Sequence, residues 1–151
     1  LEHRRQRQMC IRDSLGGHGD TMVPITRLAT IGGVPVTDLV SEKRIKEIED
    51  RTRVAGGEIV KLFGNGSAFY APAQSAIEMV ESFLKDKKRV IPCASLCEGE
   101  FGIDGYFIGV PTVIGQNGVE KVLDFSLTSD EKLELSKTLN AVKKTVHETG
   151  L

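Results

Sequence analysis

The dipeptide Asn117-Gly118 constrains the fold of this chain more than any other feature, because it separates two runs, Gly105 to Ile114 and Glu120 to Phe125, the first of them rich in Val, Ile and Phe. Asn-Gly takes the positive φ angles of a tight hairpin turn at little steric cost, so the chain is expected to double back there and pair its flanks antiparallel. Arg89 to Leu96 is a further run of the same kind. A three-stranded antiparallel sheet is therefore expected. Pro111 has no N–H to give to a ladder and is expected on an edge or at a bulge.

Around this sheet the sequence places helices. After Gly32-Gly33-Val34-Pro35, a turn by composition, Ser41 stands as an N-cap. Ile45, Ile48, Thr52, Ala55, Ile59 and Leu62 then recur at helical spacing beside a charged face. Gly56-Gly57 interrupts this helix at a cost of about 1 kcal/mol per glycine relative to alanine, which suggests a kink or a close neighbouring backbone. Gly64-Asn65-Gly66-Ser67 ends it. A second helix is expected from Ala73 to Lys87 with Ile77, Val80 and Leu84 on its inner face. Thr128-Ser129-Asp130-Glu131 opens a last helix with a capping-box pattern, and Leu135, Leu139, Val142 and Val146 form its stripe. His147 falls near the end of that helix, where its charge suits the dipole and a surface position is expected.

Composition narrows the function. The chain has 151 residues, 40% hydrophobic and 27% charged, which fits one domain with a core of its own. A net charge of -1 and basic residues interleaved with acidic ones, as in Glu42-Lys43-Arg44, argue against a nucleic-acid partner. The longest apolar stretch, Tyr106 to Gly115, is too short to span a bilayer and contains Pro111, so no membrane role is expected. Three cysteines without framework spacing suit a reducing compartment, and the cytoplasm is the expected location. Cys93 and Cys97 have no second cysteine pair and no nearby histidine to complete a tetrahedral site. They are read as buried thiols, and no metal is expected.

One histidine stands out. His18 lies in Gly16-Gly17-His18-Gly19-Asp20-Thr21-Met22-Val23-Pro24, where glycine neighbours allow a sharp turn that leaves an imidazole projecting. Imidazole exchanges protons near neutral pH, so such a residue can serve as a general acid or base. The spacing alone equally permits a loop residue or a hydrogen-bonded filler.

The whole string, however, resembles the active-site histidine signature of the NAD-dependent malate dehydrogenases, within the lactate and malate dehydrogenase superfamily. Gly32-Gly33-Val34-Pro35-Val36, Arg51-Thr52-Arg53, Gly56-Gly57-Glu58-Ile59-Val60, Gly66-Ser67-Ala68-Phe69-Tyr70-Ala71-Pro72-Ala73, Lys85-Asp86-Lys87-Lys88-Arg89 and Gly109-Val110-Pro111 come in the family's order. The resemblance covers residues 15 to 148. It implies an α+β fold, long helices packed on an antiparallel sheet, as in the C-terminal domain of that family. It implies that His18 takes the hydroxyl proton of a 2-hydroxy acid while hydride moves to nicotinamide, and that Ala68 and Pro72 lie near substrate or nicotinamide in a pocket wall. Small residues at those two positions equally allow plain helix-to-loop packing.

The same resemblance shows what to expect elsewhere. No Gly-x-Gly-x-x-Gly occurs, so the Rossmann half that binds NAD is expected outside this chain. In the family, the aspartate that orients the histidine and two substrate-binding arginines precede the histidine motif. Asp13 is too close to be that aspartate, and Arg12 and Arg27 are not in the arginine motifs. Residues 1–14, with the basic tract Arg4-Arg5-Gln6-Arg7-Gln8, differ in composition from the rest of the chain. They are read as a non-native leader, with a basic arm for acidic partners as the rival reading, which leaves residues 15–151 as the substrate-binding and catalytic domain. The expected activity of the whole enzyme is reversible NAD-dependent oxidation of (S)-malate to oxaloacetate by a homo-oligomer, with this chain inactive alone. The alternatives are the C-terminal domain of an L-lactate dehydrogenase and a non-catalytic oligomerisation remnant.

Overall fold

Two short strands open the part of the chain that the computed structural model describes, residues 14–17 and 21–150. Strand β1 (Ser14–Gly16) pairs antiparallel with β2 (Met22–Pro24), placing Gly16 opposite Met22. A small ribbon of β3 (Thr30–Ile31) and β4 (Val34–Pro35) turns at Gly32-Gly33, both at positive φ. One helical turn, α1 (Val36–Leu39), precedes two long helices, α2 (Glu42–Phe63) and α3 (Tyr70–Leu84). Then come β5 (Arg89–Glu98), β6 (Asp104–Gly115), β7 (Gly118–Val122) and the last helix, α4 (Ser129–Thr149). This is the α+β architecture expected, an antiparallel sheet with long helices.

The main sheet is larger than the three expected strands. Among the described residues it has five, in the order β2-β1-β6-β5, with β7 also paired to β6. Three-residue strands are too short to display a two-residue alternation, so β1 and β2 leave no pattern to read. The β6–β7 hairpin forms as expected, but its turn is built differently. Gly115 pairs with Gly118, so Gln116 and Asn117 make the loop, and it is Gly118 that takes positive φ (87°). The strand after the turn ends at Val122, short of Phe125.

Pro111 corrects a second expectation: it lies in β6, the strand at the centre of the sheet. It stands directly opposite Pro92 of β5. Two prolines can face each other only in a non-hydrogen-bonded pair, so neither missing N–H is needed between these strands. On its other side β6 changes partner at this point, from β1 at Gly109 to β7 from Thr112 onward. Pro111 occupies the seam, and its carbonyl still accepts from the Leu123 amide at 2.8 Å.

Alternate residues of the sheet build the core. Ile108, Val110, Thr112 and Ile114 of β6 are buried, as are Ile91, Ser95 and Cys97 of its partner strand β5. Leu15, Val23, Ile25 and, from α4, Leu135 join that core. Each aliphatic side chain so buried contributes about 1.5–3 kcal/mol by leaving water. The Ser95 and Thr112 hydroxyls bond each other at 2.8 Å, which removes the cost of burying them alone.

Helix α4 follows its sequence pattern. Thr128 accepts from the Glu131 amide while the Glu131 carboxylate accepts from the Thr128 amide, a complete capping box. Leu135 is buried, Leu139, Val142 and Val146 are half-buried, and His147 is exposed in the last turn.

The other two helices do not follow theirs. Helix α2 has Ser41 and Gly64 at its ends as expected, yet none of its residues is buried, and Leu62 is 87% exposed. It runs unbroken through Gly56-Gly57, and nothing lies within 4 Å of where a Cβ would stand on either, so the expected kink or close backbone is not there. Helix α3 begins at Tyr70, before the expected Ala73, because Pro72 sits in its first turn, where no backbone N–H is required. Its expected inner face is exposed at Ile77, Val80 and Leu84. The buried residue is Ser82, which donates to the Ile114 carbonyl at 2.6 Å and accepts from the Arg89 amide. Periodicity identifies which face of a helix is apolar; it does not supply a surface to cover it. No described helix is long and apolar enough to cross a membrane.

Candidate functional site

The strands β1 and β2 pair on either side of residues 18–20 in the chain; His18 lies outside the described residues. The glycines beside it answer to close contacts as well as to the turn. Gly16 has φ 93°, and a Cβ there would stand 3.0 Å from both Oγ1 and Cγ2 of Thr138. A Cβ on Gly109 of β6 would collide with the Gly16 carbonyl oxygen. Strand β1 is thus pressed between β6 and α4, and a side chain at either glycine would force it away. On Gly17 a Cβ would stand 2.6 Å from the Thr21 hydroxyl, the end of an exposed side chain that can turn aside.

Two helices grip the backbone that leads out of this segment. From α4, the Thr138 hydroxyl donates to the Thr21 carbonyl, with Thr138 only 1% exposed. From α2, Arg53 Nε donates to the Met22 carbonyl at 3.3 Å. The same guanidinium reaches Asp50 and, across to α4, Glu134, both at 3.3 Å. Thr138 does not stand out in the sequence, lying beside the Leu135 and Leu139 stripe; Arg53 falls in the Arg51-Thr52-Arg53 string of the resemblance, where nothing marks it as a contact to residue 22.

Beside this hairpin is a cavity of about 520 Å³ whose lining includes Met22, Arg53, Gly56, Gly57, Ala68 and Pro72. Both pocket-wall residues expected from the sequence therefore face one space, together with Met22, four residues after His18. Ala68 is half-buried and Pro72 exposed. The bare glycine face of α2 leaves the cavity open, which gives Gly56-Gly57 a reason that a kink does not. Its wall is small and uncharged except for Arg53, whose charge is already met by Asp50 and Glu134. A second cavity, of about 400 Å³, shares none of these residues; it is mainly apolar, with Leu15, Ile25, Val90 and Phe125 in its lining and Arg89 as its charged group.

Ion pairs fix the surroundings. Arg27 Nε and Nη2 bind Glu131 at 2.8 and 3.1 Å, and Nη2 also donates to the Ser126 carbonyl at 2.7 Å. Burial alone would raise the Glu131 carboxyl, but the Arg27 guanidinium and the Thr128 amide outweigh it and hold it below the usual carboxylate range. This pairing ties the turn Thr26–Leu28, just past β2, to the start of α4. At the far end of α3, Lys85 and Lys87 bring Glu81 down to about 2. Burial, then Glu100 and Asp124, push the Cys97 thiol up, which suits a packed thiol and not a nucleophile. Cys93, expected to be buried as well, is only half-buried, with its Sγ 3.6 Å from the Ser95 hydroxyl. Among the described residues no group of three or more His, Cys, Asp or Glu could hold a metal ion.

Comparison with known proteins bears on this arrangement. Residues 4–150 match the family described as lactate/malate dehydrogenase, alpha/beta C-terminal domain. The chain is 56% identical over 137 residues to malate dehydrogenase 1 of Anaeromyxobacter dehalogenans, covering 91% of this chain and 44% of that protein. It is similar to the solved malate dehydrogenase of Salinibacter ruber, with TM-score 0.88 and 50% identity over 91% of this chain and 45% of that one. It is similar also to the lactate dehydrogenase of Cryptosporidium parvum, with TM-score 0.83 and 42% identity over 87% of this chain and 45% of that one. The chain thus spans less than half the length of these relatives.

Proposed function

The chain belongs to the lactate/malate dehydrogenase family, and we propose that it supplies the C-terminal catalytic domain of a malate dehydrogenase, acting in the reversible NAD-dependent oxidation of (S)-malate to oxaloacetate. The observation that carries this reading is the convergence of Met22, Ala68 and Pro72 on one cavity beside the hairpin that bears His18. The identity to malate dehydrogenases favours malate over lactate as substrate.

In this reading His18 is the proton-transfer residue. As the C2–H bond of malate breaks and its electron pair leaves with the hydride, the imidazole takes the C2 hydroxyl proton, and the C=O of oxaloacetate forms. In the reverse direction the imidazolium returns that proton. Such general acid–base transfer contributes about 10²–10⁴-fold. NAD, when bound, supplies the hydride acceptor. The small, uncharged wall formed by Ala68, Gly56 and Gly57 fits a planar ring such as nicotinamide. A Gly-x-Gly-x-x-Gly cradle for the pyrophosphate is not among these residues, and the reading assigns it to the nucleotide-binding half. The exposed apolar faces of α2 and α3 suit contact with that half or with a second subunit of a homo-oligomer.

The test is an NADH-formation assay on malate and on lactate, with the 151-residue chain alone and with the chain fused to a nucleotide-binding half from the family. The chain alone is expected to be inactive, and the fusion to turn over malate in preference to lactate. A preference for lactate would reassign the substrate. Robust malate turnover by the chain alone would contradict the division of labour.

A further inference from the structure

We propose that Thr138 and Arg53 are positioning residues for the His18 segment, a role that rests on the reading of His18 as the proton-transfer group. The two act on consecutive carbonyls. Thr138 of α4 donates to Thr21 and Arg53 of α2 donates to Met22, so the strand leaving the segment is fixed from two helices at once. Thr138 also fixes the strand that enters it, because its Oγ1 and Cγ2 stand against Gly16, which is itself backed by Gly109. One buried side chain therefore touches both ends of the segment, and Gly16 and Met22 are register partners across it.

Arg53 adds a second function to the clamp. Its Nη2 contact to Glu134 joins α2 to α4, and it lines the cavity that holds Ala68 and Pro72. The pocket wall and the histidine segment are thereby referenced to the same guanidinium. General acid–base transfer depends on holding the base within hydrogen-bond reach of the proton it takes, so a clamp of this kind acts on catalysis without touching substrate.

The experiment uses the 151-residue chain. Thr138→Val keeps the side-chain shape and removes the hydroxyl, Thr138→Ser restores a donor, and Arg53→Met removes the second anchor. Native-state amide exchange is read at residues 16, 17, 21 and 22, with the amides of β5 and β6 as the internal reference for global stability. The His18 imidazole carbon–proton signal, assigned by its loss in His18→Gln, is read in parallel. Thr138→Val is expected to speed exchange at the hairpin by about tenfold relative to the sheet, as for loss of one buried hydrogen bond, and to shift or broaden the His18 signal. Thr138→Ser is expected to restore both, and Arg53→Met to reproduce the change at residues 21 and 22. Equal acceleration in hairpin and sheet, or an unmoved His18 signal in both Thr138→Val and Arg53→Met, would overturn the proposal. If His18→Ala leaves turnover of the fused enzyme unchanged while these signals still move, the catalytic reading fails and the clamp stands. If the signals do not move while His18→Ala abolishes turnover, the clamp alone fails.

Discussion

The sheet with α4 and the pair α2 and α3 are both built from amphipathic elements, yet they treat their apolar residues in opposite ways. In the first region alternate residues of β5 and β6 are closed off by one another and by Leu135. In the second the one buried residue is a serine, Ser82, while Leu62, Phe63, Tyr70, Ile77 and Leu84 face outward. Exposed apolar side chains such as these suit a contact surface. The sheet region therefore holds the stability of the chain, and α2 and α3 present surface. The cavity with Ala68 and Pro72 lies on the presenting side, and the hairpin that bears His18 joins the two.

Core truncation should separate the two regions most. Ile108→Ala in β6 is expected to cost about 2–5 kcal/mol, whereas Leu62→Ala in α2 is expected to stay within about 0.5 kcal/mol, both read from urea unfolding. Equal costs would mean that α2 is part of the core. Native-state amide exchange sharpens the same point: β6 amides should exchange only through global unfolding, and α2 amides through an opening of lower free energy. Thr128→Ala removes the cap of α4 and should cost about 1 kcal/mol, because α4 belongs to the stable region.

The smallest effect is one of pH. Glu131 has a folded-state pKa below its unfolded value. Its contribution is therefore present above the ordinary carboxylate range and is lost as pH falls through the depressed value. Glu131→Gln should lower stability at neutral pH and flatten the acid limb of a stability-against-pH curve. An unchanged acid limb would remove the Arg27–Glu131 pair from the account of α4.

The features legible in the sequence divide along the same line. The α4 cap at Thr128 and its stripe at Leu135 could be read because local hydrogen bonding and burial agree there. The β6–β7 hairpin could be read because a glycine is needed at the turn, although Gly118 alone takes positive φ. The fate of Ile77, Val80 and Leu84 could not, since their spacing is helical whether or not a neighbour covers them. Pro111 was hidden for a related reason: its place in the central strand depends on facing Pro92, a pairing set by register and not by local sequence. In the site, the glycines around His18, the residues Ala68 and Pro72 and the string Arg51-Thr52-Arg53 carry motifs, while the contacts made by Thr138 and Arg53 come as one hydroxyl and one guanidinium from distant helices. No spacing rule links residues 53 and 138 to residues 21 and 22.

The most direct measurement is the malate-dependent turnover number of the fused enzyme with His18 intact and with His18→Ala, at equal folded concentration and saturating malate. A fall of about 10²–10⁴-fold is the expected result for loss of a general acid–base residue. Unchanged turnover would contradict it and would leave this domain as a structural module of its family.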